Sequence, residues 1–432
     1  MRLTMPNSDR QLGSVSIMQQ IDVVELESRS APPTMIQTSP TSPELTPARV
    51  SQETVSFSNQ ALESVLAKMV IIVPCKDESQ TTIRSVLCGI PADCAVILVS
   101  NCADGYGSLS DMLKTVCMYG RQAILVHQKY HGAAAAFKAV GIPQLLDSQS
   151  PEVERIRDGK GEGMYLGIAM ARTFFSEKEY VGFVDADNQI PGSVNEYCRV
   201  YAAGFKISHD YRDYAAEEQV MVRISWKCKP KVRDGQISYD EPEGRSSRVV
   251  NAWLNRLFAK PFGDDSKFIT TGNAGEHAMT MSMALSSRWA NGYAIETYQF
   301  MDPFLRPMDY SASIDSIRIR IFQIGTLNPH LHRQGDDMHI LRMWAAGLGA
   351  IWHNLTKGTV IPGIDPTTIE EIRSEMAEYA RQEGGIALEE DLPKPRVYPA
   401  MDHVDFDLFK RLILHQRYVG GFGAPEFFGV NN

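Results

Sequence analysis

Short apolar runs that alternate with helical patterns are the feature that most constrains the fold of this chain. Four runs rich in β-branched residues lie at residues 69–73, 95–100, 123–126 and 180–184. Amphipathic or Ala-rich stretches separate them, as in βαβ units, and runs without polar alternation are typical of strands buried on both faces. The pattern therefore predicts an α/β fold with a mostly parallel sheet flanked by helices. Such sheets bind ligands beyond the carboxyl ends of their strands.

The rest of the chain is less regular. Further strands are predicted at residues 220–225 and 317–321, and residues 13–27 could add an edge strand. Ser, Thr and Pro supply 16 of the 30 residues from 29 to 58, which favours a flexible stretch. Helices are predicted at residues 245–258, 276–285, 337–348 and 405–415, and a loop is predicted at residues 420–432.

The predicted domain organisation follows these changes in pattern. We expect an N-terminal segment at residues 1–66, the sheet core at residues 67–205, a further part at residues 206–350, and C-terminal helices with a tail at residues 351–432. This organisation is one large core with additions rather than three separate domains.

Composition excludes several classes of protein. A formal charge of -9, from 43 Lys+Arg against 52 Asp+Glu, argues against a protein that coats nucleic acid. No apolar run approaches the ~20 residues of a membrane helix, and no basic segment followed by an apolar one opens the chain. We therefore expect a cytoplasmic protein without nucleic-acid or membrane partners. The seven Cys include no C-x-x-C pair, which favours buried free thiols over a zinc site or a thiol nucleophile.

The strongest local signal is a pair of carboxylates, Asp185 and Asp187, which closes the fourth predicted strand. Carboxylates at that edge of a sheet suit a hard divalent cation, which in turn neutralises a substrate diphosphate. The same spacing recurs at Asp405 and Asp407, but there the amphipathic context predicts exposure to solvent. The first pair is therefore the candidate metal site.

Two Gly-rich loops that open predicted helices could bind anions. Gly admits close approach of backbone N–H groups, and a helix N-terminus favours negative charge. The first loop contains Lys160 and Gly161, and the second contains Thr271, Gly272 and Asn273. The alternatives are a flexible turn for the first loop and a plain capping turn for the second. The first loop matches neither the P-loop nor the dinucleotide fingerprint.

Three further sets of residues stay open between a binding role and an ordinary solvated surface. Lys76 follows the first predicted strand, and Arg245 and Arg248, one helical turn apart, could clamp a phosphate. His330 and His332 could complete the coordination of a metal that carboxylates already hold. A pair at i, i+2 in a loop is expected to supply one ligand at most.

Taken together, these strings resemble the mannosyl-3-phosphoglycerate synthase family, which comprises retaining glycosyltransferases with a GT-A-like fold. The resemblance runs from about residue 13 to at least residue 348. Cys75 and Asp77 depart from it, since the family often has Met and Asn at these positions. The matching strings are I-I-V-P-x-K-x-E, G-K-G-E-G-M, V-G-F-V-D-A-D-N, I-P-G-x-V-N-E-Y, Y-A-A-G-F, T-G-N-A-G-E-H-A-M-T-M and T-L-N-P-H, beginning at residues 71, 159, 181, 190, 201, 271 and 326.

The resemblance implies transfer of mannose from GDP-mannose to the hydroxyl of D-3-phosphoglycerate. The products would be GDP and mannosyl-3-phosphoglycerate, the precursor of the compatible solute mannosylglycerate. The resemblance also implies a divalent metal, with Mg²⁺ preferred and Mn²⁺ or Co²⁺ as alternatives, and leaves a homodimer open. Residues 67–205 would then bind the nucleotide-sugar, and residues 206–350 would form a smaller lobe that binds the acceptor and completes the metal site.

The resemblance also assigns roles to individual residues. Asp187 would be the principal metal carboxylate and Asp185 would lie near the ribose or the metal, with His330 favoured over His332 as the further ligand. Lys160 joins the two carboxylates as a catalytic residue. The nucleotide-sugar would be held by Lys76, Glu78 and Lys160, with Gln128 and Lys129 at the nucleotide, and the phosphoglycerate by Arg248, Thr271, Gly272 and Asn273. Gly161, Asn188 and Arg245 are further candidates for substrate binding.

Three alternative functions are weighed against this one. A related transferase could use another donor, such as GDP-glucose or UDP-glucose. A sugar-phosphate nucleotidyltransferase would release pyrophosphate instead of a nucleoside diphosphate. A catalytically inactive binder is disfavoured by the presence of Asp185, Asp187 and Lys160. For the transfer itself we favour a front-face route, in which the departing phosphate helps to take the acceptor proton, because that route needs no protein nucleophile.

Overall fold

The computed structural model describes most of the chain. The described residues are 1–6, 8–27, 53–118, 120–147, 154–210, 217–233, 236–238, 244–259, 262, 267–306, 317–332, 337–356, 358–384, 392–415 and 424–430. None of the helices in these ranges is both long enough and apolar enough to span a membrane.

The strands and helices of the described residues are numbered along the chain. The strands are β1 Arg2–Thr4, β2 Asp9–Leu12, β3 Val15–Met18, β4 Ile21–Glu25, β5 Thr54–Ser56, β6 Met69–Cys75, β7 Ala95–Ser100, β8 Ala123–His127, β9 Tyr180–Phe183, β10 Glu217–Trp226, β11 Lys231–Arg233, β12 Gln236–Ser238, β13 His277–Thr280, β14 Trp289–Ala290, β15 Ile317–Thr326, β16 Val397–Tyr398 and β17 Glu426–Phe428. The helices are α1 Asn59–Leu66, α2 Gln80–Gly89, α3 Tyr106–Val116, α4 His131–Ala139, α5 Lys160–Phe174, α6 Pro191–Asp210, α7 Arg245–Ala259, α8 Met281–Ser286, α9 Ala294–Leu305, α10 Asp337–Asn354, α11 Pro366–Gly384 and α12 Phe406–His415.

Thirteen of the described strands form one central sheet, in the spatial order β17-β8-β7-β6-β9-β13-β10-β15-β4-β1-β5, with β3 also pairing β15 and β2 pairing β3. Strands β6 to β9 are the four predicted from the apolar runs, and they pair in parallel. The predicted α/β fold, a large sheet flanked by helices, is confirmed. The sheet is mixed, because β13 lies antiparallel between β9 and β10, and β10 then pairs in parallel with β15.

This order decides where a ligand can bind. Strand β13 runs antiparallel to both of its neighbours, β9 and β10. Strands β10 and β15 therefore run in the same direction as β6, β7 and β9. The carboxyl ends of these five strands therefore meet at one edge of the sheet. Strand β13 begins at that edge, so the loop before it also arrives there.

The helix predicted at residues 276–285 is wrong in its first half. Residues His277–Thr280 form β13, and only Met281–Ser286 is helical. His277 is in register with Phe183 on one side and with Arg223 on the other. Pairing on both sides of β13 outweighs the local apolar spacing, which fits a helix.

Both ends of the described chain join the sheet. Strands β3 and β4, from the stretch predicted to add an edge strand, pair in parallel with β15, and β1 and β5 lie beyond β4. Strand β17 pairs antiparallel with β8, so the loop predicted at residues 420–432 is wrong for these three residues. Residues 28–52, which hold most of the Ser/Thr/Pro-rich stretch, lie outside the described residues.

Two apolar cores cover the two faces of the sheet. Side chains alternate between them along β6, where Val70 and Ile72 face the first core and Ile71 and Val73 face the second. Helices α4, α5, α7 and α12 contribute to the first core, and α1, α2, α3 and α6 contribute to the second. Burial of each of these four side chains stabilises the fold by about 1.5–3 kcal/mol, which fixes the sheet edge that carries the site.

Candidate active site

The residues predicted to carry the chemistry lie on loops at the edge of the sheet where β6, β9, β10 and β15 end. Lys76 and Glu78 follow β6, Asp185 and Asp187 follow β9, and the two loop histidines follow β15. The loop at residues 270–276 enters the same edge because it precedes β13. The fold thus brings together segments that are far apart in the sequence.

Lys160 forms a largely buried ion-pair cluster at the first turn of α5. Its Nζ lies 2.5 Å from Oδ1 of Asp185 and 2.7 Å from Oε1 of Glu296. Burial acts to lower the pKa of Lys160, but the two carboxylates outweigh burial and raise that pKa well above its usual value. Lys160 is therefore a fixed cation that orients Asp185, and two protein carboxylates already share its charge.

Asp187 is the carboxylate best suited to hold a metal. Its Oδ1 is buried without a hydrogen-bond partner in the described part of the chain, and its Oδ2 lies 3.5 Å from Nδ1 of His332. Burial, followed by the nearby Asp185, raises the pKa of Asp187 to about 6. No three His, Cys, Asp or Glu side chains among the described residues form a ready metal site. One carboxylate and one imidazole fit a divalent ion that takes its other ligands from a substrate diphosphate and water.

His330, which the resemblance favours as the ligand, is engaged away from Asp187. Its Nδ1 lies 3.0 Å from the Tyr197 hydroxyl and 3.3 Å from Nδ2 of Asn188. Asn188 accepts the N–H of Ile190 through Oδ1, which identifies Nδ2 as a donor toward the ring. Burial lowers the pKa of His330 well below its usual value, so the ring is neutral. In the tautomer that accepts the Asn188 N–H at Nδ1, the proton is on Nε2, and that tautomer offers no lone pair to a metal.

Arg223, in the middle of β10, supports the loop that precedes β13 by donating hydrogen bonds to its carbonyl oxygens. The side chain is fully buried, and it donates from Nε to the Thr271 carbonyl and from Nη2 to the Glu296 carbonyl, both at 2.8 Å. A longer bond of 3.4 Å reaches the Ala274 carbonyl. Burial lowers the pKa of Arg223 to about 9, which still leaves the guanidinium charged at neutral pH.

Two amide side chains complete the support of this loop. The Thr271 hydroxyl donates to Oε1 of Gln323 at 2.9 Å, and the Gly272 N–H donates to Oδ1 of Asn251 at 2.8 Å. Oδ1 of Asn273 accepts from a hydroxyl of α9 at 3.2 Å, and its Nδ2 makes no hydrogen bond within the described residues. Thr271 and Gly272 therefore fix the shape of the loop, whereas Nδ2 of Asn273 remains available as a hydrogen-bond donor.

Gly275 brings this loop against the ion-pair cluster. A Cβ at this position would lie 2.5 Å from Oδ2 of Asp185 and 2.7 Å from Nζ of Lys160. A side chain at this position would have to displace either the loop or the ends of these two side chains. Glycine at this position therefore joins the predicted acceptor loop to the predicted catalytic residues.

Arg245 and Arg248 lie on α7, about two turns and one turn before Asn251 respectively. Nη1 of Arg245 forms an ion pair with Oδ1 of Asp337 at 2.6 Å, at the start of α10. Arg248 is exposed and forms no ion pair within the part of the chain that the structure describes. Of the two guanidinium groups, that of Arg248 is the one available to an anion.

Gln128 and Lys129, predicted to contact the nucleotide, build the Gly-rich loop before α5. They donate to carbonyl oxygens of that loop at 2.6 and 2.8 Å, and Lys129 also pairs with Asp158 at 2.9 Å. Gly161 donates its N–H to the carbonyl of Gly292 at 3.2 Å. These groups fix the shape of the loop through contacts within the protein.

Glu78 holds the turn after β6. Its carboxylate accepts the Lys76 N–H at 2.5 Å, while the side chain of Lys76 is exposed. Asp77, between them, has a φ of 62°, in the left-handed region that residues other than Gly rarely adopt. Burial raises the pKa of Glu78 to about 7, so this carboxyl titrates near neutral pH.

Sequence reasoning missed three charged residues of the site, namely Glu276, Glu296 and Lys229. Glu276 is fully buried, and neither of its carboxylate oxygens has a hydrogen-bond partner in the described ranges. Its Oε1 lies 3.7 Å from Nδ1 of His330. Burial raises the pKa of Glu276 well above its usual value and lowers the pKa of Lys229. Glu276 precedes β13, which starts at this edge because it runs antiparallel to β9 and β10, so finding Glu276 required both the strand and its direction.

The comparisons with known proteins point to one family. The sequence profile of mannosyl-3-phosphoglycerate synthase matches residues 5–413. The chain belongs to the mannosyl-3-phosphoglycerate synthase family. The mannosyl-3-phosphoglycerate synthase of Pyrococcus furiosus is 34% identical over 369 residues, which cover 83% of this chain and 87% of the relative. The synthase of Aeropyrum pernix is 30% identical over 345 residues, covering 78% and 82%. The predicted family and enzyme class, a glycosyltransferase, are confirmed.

Solved structures show more distant likenesses. Glucosyl-3-phosphoglycerate synthase from Mycobacterium tuberculosis, in complex with Mn²⁺, UDP and phosphoglyceric acid, aligns with a TM-score of 0.43 and 16% identity, over 69% of this chain and 83% of that chain. The synthase of that name in complex with Mg²⁺ and UDP aligns with a TM-score of 0.41 and 16% identity, over 69% and 84%.

Proposed function

We propose that this member of the mannosyl-3-phosphoglycerate synthase family transfers mannose from GDP-mannose to the hydroxyl of D-3-phosphoglycerate. The products are mannosyl-3-phosphoglycerate and GDP. The names of the two relatives support mannose as the sugar and phosphoglycerate as the acceptor. Both substrates are anions although the chain carries a formal charge of -9. The site therefore depends on local positive charge from Lys76, Arg248 and a bound cation.

The observation that carries this proposal is the close approach at Gly275. Transfer requires the acceptor hydroxyl to lie within reach of the anomeric carbon of the donor, which places the two binding regions side by side. At this glycine the acceptor loop lies so close to Asp185 and Lys160 that a Cβ atom would come within 2.7 Å of both side chains. An acceptor bound to the loop would therefore lie next to a donor bound at the carboxylates.

We assign the divalent cation to Asp187 and His332, with Mg²⁺ preferred and Mn²⁺ or Co²⁺ as alternatives. This assignment replaces the sequence-based preference for His330, because His332 lies against the carboxylate and His330 is hydrogen-bonded elsewhere. When bound, the cation neutralises the diphosphate of the leaving GDP. Asp185, oriented by Lys160, faces the ribose or the cation.

On the acceptor side, Arg248 and the Nδ2 of Asn273 are the donors that we assign to the phosphate and carboxylate of phosphoglycerate. Charge-assisted bonds from a guanidinium to a phosphate are the strongest that this side of the site can offer. Thr271 and Gly272 shape the loop, and Arg245 supports α7 through its ion pair.

On the donor side, we assign the exposed ammonium of Lys76 to the diphosphate. Glu78 sets the conformation of the turn that carries Lys76. The other predicted donor-binding residues act by positioning their neighbours, and they are Gln128, Lys129, Gly161 and Asn188.

Comparison of sugar donors tests the proposal. The protein is incubated with D-3-phosphoglycerate, Mg²⁺ and one of GDP-mannose, GDP-glucose or UDP-glucose, and the released nucleotide is measured. We expect kcat/KM to be at least about tenfold higher with GDP-mannose than with GDP-glucose or UDP-glucose, since a polar pocket rejects a sugar with a misplaced hydroxyl. Equal or better use of UDP-glucose would overturn the assignment of the donor. Release of pyrophosphate from a nucleoside triphosphate would instead indicate a nucleotidyltransferase.

A further inference from the structure

Two cysteines meet beside the donor turn, at the same edge of the sheet. Cys75 ends β6, and Cys102 lies two residues beyond Ser100, which is the register partner of Cys75 in β7. The Cys102 sulfur lies 4.0 Å from the carbonyl oxygen of Cys75, so the two residues are in direct contact. The N–H of Asp77 donates to that same sulfur at 3.3 Å. The proposed transfer uses neither sulfur.

The two sulfurs differ in access and in acidity. Cys75 is 3% exposed, whereas Cys102 is half-buried. Interaction with the Cys75 side chain lowers the pKa of Cys102 to about 6, although burial opposes this shift. The same interaction, together with burial, raises the pKa of Cys75 well above its usual value. At neutral pH a reachable thiolate therefore lies against a protected thiol, as in a pair of attacking and resolving cysteines.

We propose that Cys102 and Cys75 form a peroxide-sensitive modification site that closes to a disulfide. The Cys102 thiolate attacks one oxygen of hydrogen peroxide, the O–O bond breaks, and the products are a sulfenic acid on Cys102 and hydroxide. The Cys75 sulfur then attacks the sulfur of Cys102. The S–S bond forms as the S–O bond breaks, and the proton of Cys75 leaves with the hydroxyl as water. The two thiol sulfurs are oxidised, the peroxide is reduced, and an external dithiol reverses the reaction by exchange.

The disulfide acts on the turn that carries the donor-binding residues. The Cys102 sulfur accepts the N–H of Asp77, whose φ of 62° has to be stabilised by its surroundings. A disulfide sulfur is uncharged and accepts a hydrogen bond more weakly than a thiolate does. Oxidation therefore releases the turn with Lys76 and Glu78. This effect on activity rests on the proposed function, whereas the thiol chemistry does not.

Peptide mapping tests the modification without reference to activity. The full-length reduced protein is exposed to hydrogen peroxide, its remaining thiols are blocked, and trypsin and Asp-N digestion separates peptide 69–76 from peptide 93–103. We expect mass spectrometry to find the two peptides joined, with the link at Cys102 and not at the buried Cys94. Cys88, which is exposed on α2, is the internal control and should be oxidised later. Absence of the link, or oxidation of Cys88 first, would overturn the proposal.

Activity measurements test the consequence, with each variant compared with its own reduced form. We expect peroxide to raise the KM for GDP-mannose about tenfold in the wild type and in Cys88→Ser, as for the loss of one charge-assisted hydrogen bond, and dithiothreitol to restore it. Cys102→Ser should be insensitive to peroxide, and Cys75→Ala should not form the disulfide. An equal loss in Cys102→Ser would refute the regulatory effect. If the reduced protein transfers no mannose, the proposed function fails, and the peptide link still decides the modification.

Discussion

The donor and acceptor sides of the site are built in different ways. On the donor side charged groups contact one another, with Lys160 between Asp185 and Glu296. On the acceptor side the loop at residues 270–275 is held by a buried arginine and two amides that bond to its backbone and hydroxyl groups. The donor side thus depends on charge at a strand end, and the acceptor side depends on the shape of a supported loop.

Substitutions on the two sides should therefore have different consequences, for catalysis on the donor side and for stability on the acceptor side. Removing a charge on the donor side should abolish turnover in a protein that still folds. Removing a support on the acceptor side should destabilise the fold, because buried carbonyls lose their donors. Four substitutions test this difference, and they follow in decreasing order of expected effect.

Asp187→Asn removes charge from the donor side while keeping the shape of the side chain. We expect kcat/KM to fall at least about a thousandfold, or ~4 kcal/mol of transition-state stabilisation, because the metal carboxylate is lost. The melting temperature should stay close to that of the wild type. Asp407→Asn, an exposed site with the same D-x-D spacing, is the matched control and should stay within about twofold. A folded Asp187→Asn enzyme with normal turnover would contradict the metal assignment.

Arg223→Ala removes the central support of the acceptor loop. We expect the free energy of unfolding to drop by about 3 kcal/mol, since the carbonyls of Thr271 and Glu296 lose their donor and a cavity remains. Urea unfolding measures the change. Arg256→Ala, which breaks an exposed ion pair with Glu375, should cost less than about 1 kcal/mol. Equal costs for the two substitutions would show that Arg223 does not support the loop.

Arg248→Ala removes the exposed guanidinium that we assign to the acceptor. We expect the KM for phosphoglycerate to rise about tenfold to a hundredfold, the range of one charge-assisted contact. The KM for GDP-mannose should change less than about twofold. Arg245→Ala is the control, and its smaller effect follows from the existing ion pair with Asp337. If both substrates are affected equally, Arg248 does not belong to the acceptor side.

Glu78→Gln tests the electrostatics of the donor turn through its dependence on pH. Burial raises the pKa of Glu78 to about 7 from the 4.5 of an exposed glutamate, so the folded protein holds a proton that the unfolded chain releases earlier. Stability from this group therefore falls as pH rises from about 4.5 to about 7, and the full cost is present above that window. We expect the variant to exceed the wild type by about 1 kcal/mol near pH 8, after allowance for partial exposure, and to match it below about pH 4.5.

Urea unfolding at several pH values measures the difference between Glu78→Gln and the wild type. Glu63→Gln, an exposed position on α1, serves as the control and should show no such trend. A stability difference that is the same at every pH would show that burial does not perturb the Glu78 carboxyl.

The same comparison explains what the sequence could predict. Asp185 and Asp187 were found because they follow an apolar run, and that signal is local. Arg223 and Gln323 could not be found, because each lies inside a strand and acts on a loop about fifty residues away or more. The fold class could also be predicted, because the apolar runs that indicate it are local features of the sequence.

The errors have a common physical cause. Strand β13 was predicted as a helix, and β17 as a loop, since the pairing of each depends on strands distant in the sequence. Missing β13 also hid Glu276 at its start. The choice between His330 and His332 is not one of these errors and stays a prediction, and the partners that bear on it, Tyr197 and Asn188, come together only in the folded chain.

The donor side and the acceptor side are proposed to bind their substrates next to each other for a single transfer of mannose. The most direct measurement follows the labelled anomeric carbon of GDP-[1-¹³C]mannose by NMR, with and without D-3-phosphoglycerate, in the presence of Mg²⁺. We predict that the label moves to a retained glycosidic bond on phosphoglycerate, that one GDP appears for each bond formed, and that chelation of the metal stops both. Release of free mannose at the same rate with and without phosphoglycerate would contradict this prediction.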